Sequence, residues 1–183
     1  NAGTTTCSIV SITNNTTTCT GPVTISGSFE VLPLPVVPAL AITVADACEG
    51  QDVPVTITGL GTLTNVNFEY DLSGANNAIN NMVSVPVTSG SATFNIPAAL
   101  LINTGTTTIQ ITDLTNTGNS CGVIVSGVSD SFVINPNPIA TLVSSDADNT
   151  ICANEAATLT VNPTNFIATA ATYVWTLNTV VIP

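Results

Sequence analysis

Val53-Pro-Val-Thr-Ile-Thr58 decides the fold class, and Phe68-Glu-Tyr-Asp71 repeats its message. In the first stretch Val53, Val55 and Ile57 alternate with Pro54, Thr56 and Thr58. In the second, Phe68 and Tyr70 alternate with Glu69 and Asp71. A period of two sends successive side chains to opposite faces of an extended chain, so each stretch is a strand with one buried face. Outward from these two, short Thr- and Val-rich segments bounded by Gly, Asn and Pro clusters predict further strands at 40–44, 82–87, 92–96, 106–112 and 123–134, the last broken at Gly127. The segment 97–102 is at most a short apolar helical turn. Seven strands in about 100 residues predict an all-β, immunoglobulin-like sandwich, with Tyr70 in the place of the core aromatic of the third strand.

The chain also matches itself at a distance. Gly3-Thr-Thr-Thr leads to Cys19 and Gly105-Thr-Thr-Thr leads to Cys121, each over 16 residues. Phe29-Glu-Val-Leu-Pro33-Leu-Pro35 corresponds to Phe132-Val-Ile-Asn-Pro136-Asn-Pro138. Val55-Thr-Ile57 after Cys48 corresponds to Leu159-Thr-Val161 after Cys152, and Phe68-Glu-Tyr70 to Tyr173-Val-Trp175. The offset grows from 102 (Gly3 to Gly105) through 103 (Pro35 to Pro138) to 104 (Cys48 to Cys152). The expectation is tandem sandwich repeats of about 103 residues: the end of one unit in 1–35, a complete unit in 36–138, and the start of a third in 139–183. Proline-rich joints at 33–38 and 136–138 favour extended, stiff backbone, hence a rod.

Charge narrows the function. There is no Lys, Arg or His among 183 residues, against eleven Asp and Glu, for a net charge of -11. No side chain can clamp a phosphate, form a Schiff base or act as an imidazole base. Nucleic acid and anionic membrane surfaces are excluded as partners, because both are bound mainly through cations. Edge strands cannot be guarded by Lys and must use proline, bulges or pairing. Each carboxylate must be solvated, accept hydrogen bonds or hold a cation from solution. The chain is nevertheless 44% apolar with mean hydropathy +0.50, unlike a disordered polymer. The apolar run 31–45 is interrupted by Pro33, Pro35 and Pro38 and does not read as a membrane span. No signal peptide is legible at the start, and the sequence reads as a segment of something longer.

The five cysteines, Cys7, Cys19, Cys48, Cys121 and Cys152, include no CxxC pair. Without His, a metal–thiolate site is disfavoured and disulfides in an oxidising compartment are the better expectation. Cys48 with Cys121 is one candidate pair, worth on the order of 4 kcal/mol from loop closure. In a plain sandwich, however, their positions lie at opposite ends. Cys7 with Cys19 is another candidate, closing its own hairpin.

The motif Thr-Ile-Cys152-Ala-Asn-Glu-Ala-Ala-Thr-Leu-Thr-Val with Tyr173-Val-Trp175 resembles the opening of immunoglobulin-like and PKD-like repeats in giant cell-surface adhesins of Bacteroidota. Ile109-Gln-Ile-Thr-Asp-Leu-Thr-Asn-Thr-Gly-Asn-Ser-Cys121 resembles their closing hairpin. Ala153-Asn154 stands where those repeats commonly carry Gly, and Cys7 stands in the place of Ile109. The resemblance implies secretion to the cell surface, tandem arrays, and roles in adhesion, gliding or extracellular filaments.

Three kinds of site are to be weighed. Asp146, Asp148, Asn149 and Glu155 supply oxygen ligands of the kind calcium takes, without a complete loop motif. Asp46, Glu49 and Asp52 hold a related place in the complete unit. Glu69 and Asp71 share one face of a strand, the minimum for carboxylate acid–base chemistry, but a solvent-facing strand surface explains them as well. Ser and Thr have no base to activate them, so no enzyme is expected. Asn14-Asn15-Thr16-Thr17 holds two overlapping glycosylation sequons on an expected hairpin tip. The expectation is a structural or adhesive rod segment, partnered by neighbouring repeats and by lateral self-association into filaments, with no membrane insertion. The alternative is a calcium-assisted glycan- or ligand-binding sandwich.

Overall fold

The computed structural model describes residues 2–36, 39–148, 150–177 and 180–182, so Pro38 of the first joint and Asn149 of the acidic motif lie outside the described residues. The chain divides into two compact units, Asn1–Ile134 and Asn135–Pro183. Both are built of strands, and no helix among the described residues is long and apolar enough to cross a membrane.

The first unit opens with a hairpin, β1 (Gly3–Thr13) and β2 (Thr20–Val31). A sandwich follows, made of β3 (Ala41–Val44), β4 (Ala47–Cys48), β5 (Val53–Thr58), β6 (Asn65–Gly74), β7 (Ala78–Pro86), β8 (Ser91–Ile96), β9 (Gly105–Asn116), β10 (Cys121–Ile124) and β11 (Ser129–Asn135). One sheet has the order β3-β5-β8. The other runs β4-β11-β9-β6-β7, with β10 also on β9. Every strand expected from the sequence of this region is present, and Pro97 leads into a single 3-10 turn at Ala98–Leu100. The break at Gly127, where φ is +74°, separates β10 from β11.

Alternation produces the core. Val53, Val55 and Ile57 of β5 meet Val66, Phe68, Tyr70 and Leu72 of β6, Ile109, Ile111 and Leu114 of β9, and Phe132 and Ile134 of β11, all buried in one cluster. Phe94 of β8 stacks obliquely on Tyr70, with ring centroids 5.3 Å apart. Burial raises the Tyr70 phenol above its usual 10.0. Asn76 and Thr107 are buried polar side chains in this core, and Asn76 is satisfied. Its amide donates to the Asn103 carbonyl and to Thr107 Oγ1, and its Oδ1 accepts from the Asn103 N–H.

The β4 element escaped the sequence reading because it is two residues long. It arises where the chain leaves one sheet for the other. The last β3 pair is Val44 with Val55, one residue short of Pro54, which has no N–H to offer a ladder. Past that point the chain crosses to β11. Two carboxylates stitch the crossing: Asp130 Oδ2 accepts from the Val44 N–H at 3.0 Å, and Asp46 Oδ1 accepts from the Val133 N–H at 2.8 Å.

The second unit holds β12 (Ala140–Ser144) antiparallel to β13 (Leu159–Pro163), a 3-10 turn at Ala168–Ala170, and the hairpin of β14 (Trp175–Leu177) with β15 (Val180–Ile182).

Candidate functional site

The N-terminal hairpin copies the closing strands of the sandwich in detail. Thr5 faces Phe29 and Thr6 faces Ser28, as Thr107 faces Phe132 and Thr108 faces Ser131. At the far end Ile12 faces Gly21, as Leu114 faces Val123. Gly3 and Gly105 share a positive φ (+132° and +122°), as do Thr18 and Ser120 (+58° and +57°). Asn14 Oδ1 accepts from the Thr16 N–H at 2.9 Å, and Asn116 Oδ1 accepts from the Gly118 N–H at 2.9 Å. Even the thiols match: Cys19 donates to the Thr17 carbonyl and Cys121 to the Asn119 carbonyl. The register shift of β1–β2 falls between Ile9 and Ser11. That is the level at which Gly127 separates β10 from β11, with Val125 N–H bonded to Thr112 and Ile111 N–H to Val128. Two residues lie between Pro22 and Ile25, and three between Ile124 and Val128. The bulge therefore absorbs the extra residue that moves the offset from 102 to 103.

What differs is cover. Phe132 is 1% exposed and Phe29 is 55% exposed. Ile111 and Leu114 are sealed in the core, whereas Ile9 and Ile12 are each 51% exposed. Among the described residues β1 pairs only with β2, so the edge that β9 gives to β6 is open on β1. The second unit shows the converse. Leu142 faces Val161 and Ser144 faces Leu159, as Ile42 faces Ile57 and Val44 faces Val55. Val55 is fully buried, but Leu159 is half exposed. The face patterned on β9–β11 thus carries Ile9, Ile12 and Phe29 exposed, and the pair patterned on β3–β5 carries Leu142 and Leu159 exposed. Sequence reading aligned these residues but did not single out their exposure.

The cysteines take no part in bonds to one another. All five are free thiols. Cys48 lies beside the Asp46–Val133 contact, at the end of the sheet where β9 begins, whereas Cys121 faces Asn116, where β9 ends. About ten residues of strand at ~3.3 Å each separate those levels, far beyond the ~7 Å a disulfide tolerates between Cα atoms. The Cys48–Cys121 pairing is therefore not made. Cys7 with Cys19 fails for a related reason, since Cys7 faces Gly27 across the ladder while Cys19 sits in the turn.

Several acidic positions accept backbone N–H groups. Asp146 Oδ1 accepts from the Asp148 and Thr150 N–H groups, Asp148 Oδ1 from Thr150, and Glu155 Oε2 from Cys152 at 2.9 Å. Among the described residues no group of three or more acidic or thiol side chains is gathered as metal ligands. Asp52 Oδ1 accepts from the Ala98 N–H and leads the chain into its 3-10 turn. Asp71 Oδ1 accepts from Asn80 at 2.8 Å, while Glu69 stands directly opposite Asp113 on β9.

A groove of about 650 Å3 runs between the proline joint and the 60–64 loop, lined by Pro33, Pro35, Leu60, Leu63 and Asn119 among others. Asn119 Nδ2 donates to the Pro33 carbonyl there, and Pro35 is buried. None of its lining residues is a carboxylate, thiol or phenol, and its side-chain hydroxyls are those of Thr62 and Thr64. No protein-family model matches the chain, and the comparison with curated proteins finds no match.

Proposed function

We propose that the chain is a structural and adhesive segment of a long extracellular surface protein or filament, made of sandwich units of about 103 residues that follow one another across proline joints as a stiff rod. The observation that carries this reading is the agreement of β1–β2 with β9–β11 in register, bulge, turn bonds and positive-φ positions. Two unrelated hairpins have no reason to share all four. The pairing of β12–β13 in the register of β3–β5 supports a third unit. A non-catalytic role fits carboxylates committed to backbone N–H groups and a groove without titratable side chains. Its neighbours are other units of the same kind, and its place is outside the cell or at its surface.

A glycan array probed with and without calcium, run beside negative-stain microscopy, tests this reading. The expected outcome is no calcium-dependent glycan signal and slender particles under the microscope. Calcium-dependent capture of a defined glycan by compact particles would overturn it.

A further inference from the structure

We propose that the outer edge of β7 takes up a short extended segment of a partner protein with Arg or Lys at alternate positions, which adds to the larger sheet as a further strand. The edge belongs to the complete sandwich, so the proposal goes beyond the rod reading and does not depend on it.

The backbone supplies the opening. Among the described residues β7 ends its sheet, with β6 on one side only. The Val87 N–H donates to the Thr64 carbonyl at 2.8 Å, and Pro86 stands opposite Asn65 in the next pair. Bonded and non-bonded pairs alternate along an antiparallel ladder. Val85 and Val83 therefore bond β6, while the N–H and C=O groups of Ser84 and Met82 point outward. Both ends of this window are closed. Pro86 has no N–H to offer. Asn80, at φ +56°, gives its N–H to Asp71 Oδ1 at 2.8 Å. What stays open is 82–84, a length that one short extended segment fits.

The side chains beside the window set the partner. Ser84 faces Asn67 and Met82 faces Glu69. Phe68 between them is buried in the core, so alternation puts these four on the outer face of the sheet. A recess of about 240 Å3 lies there, lined by Asn67, Met82, Val83 and Ser84. Asn67 Oδ1 is buried and has no partner among the described residues, so it calls for a donor. Glu69 stands between Met82 and Asp113, which sets two carboxylates opposite each other across β6 and β9. Like charges so placed cost stability, and a partner's cation relieves them. Met82 is 72% exposed and offers its side chain to the aliphatic stem of Lys or Arg. A second copy does not fit this site, because the chain has eleven carboxylates and no Lys, Arg or His. Cations two residues apart do fit, because alternate side chains of an added strand fall on one face.

Fluorescence anisotropy of the labelled peptide Thr-Arg-Val-Arg-Thr with the full 183-residue chain at neutral pH tests this. Saturable binding is expected, weakening severalfold between about 50 and about 200 mM salt. Thr-Glu-Val-Glu-Thr should not bind. The reordered peptide Thr-Thr-Arg-Arg-Val has the same charge without the alternation and should bind about tenfold more weakly. Glu69→Gln leaves the backbone window intact and should weaken binding about tenfold. Ser84→Pro removes one outward N–H, as Pro86 already does, and should abolish binding with the circular dichroism spectrum unchanged. Failure of the first peptide to bind up to about 1 mM, equal binding of either control peptide, or wild-type affinity in either variant would overturn the proposal. So would wild-type dimers in sedimentation velocity that Ser84→Pro abolishes, since the edge would then belong to a second copy. None of these outcomes touches the rod reading, which concerns how units follow one another.

Discussion

At the scale of single residues, a chain with no cation must satisfy each carboxylate in another way. Asp46, Asp52, Asp71, Asp130 and Asp148 do so by accepting backbone N–H bonds. Such bonds to an ionised acceptor are among the stronger ones. That requirement was legible in the composition. Which N–H each would find was not, because the bonds from Asp130 to Val44 and from Asp46 to Val133 join residues 86 and 87 positions apart. Tyr70 yields a prediction of its own. Its phenol is held above 10.0 by burial, so the unfolded chain ionises first and binds fewer protons than the fold at high pH. Stability attributable to Tyr70 is therefore fully present below pH 10 and is lost as pH rises from there through the folded value. Urea unfolding between about pH 8 and pH 11.5 should show this decline in the wild type and a smaller one in Tyr70→Phe, which keeps the ring against Phe94. Equal declines would remove the assignment.

At the scale of elements, one hairpin design occurs twice with opposite consequences. Phe29 and Phe132 occupy the same register, opposite Thr5 and Thr107. Phe132→Ala should cost about 3–5 kcal/mol, since it empties a site in the core. Phe29→Ala, measured under dilute monomeric conditions, should stay within about 1 kcal/mol because the ring is already half in water. Denaturant midpoints of the two variants provide the comparison, and similar losses would mean that the N-terminal face is covered in solution. Most strands of the sandwich were legible from alternation and turn residues. The exception, β4, shows why some were not. Two residues carry no period, and Ala47–Cys48 becomes a strand only because β3 stops short of Pro54 and the chain crosses to β11. Neither of the two candidate thiol pairings is made in this structure: the ladder sets Cys48 and Cys121 at opposite ends and Cys7 away from the turn that holds Cys19.

At the scale of the whole molecule, a net charge of -11 with 44% apolar residues sets repulsion against adhesion. Falling pH removes the repulsion as it nears the isoelectric point of about 4.1. Lateral bundling should therefore rise between pH 8 and pH 4 at fixed ionic strength, as followed by light scattering; scattering that does not change over that range would count against it. The sequence by itself determined an all-β chain, the faces of its sandwich strands and the absence of any cationic side chain, because alternation, turn residues and composition act locally or by simple count. Only the tertiary structure decided which apolar faces are covered, which N–H each carboxylate meets and which cysteines stay apart. Those outcomes depend on contacts between residues remote in the chain, and the same hairpin pattern is buried or bare according to whether a second sheet lies across it.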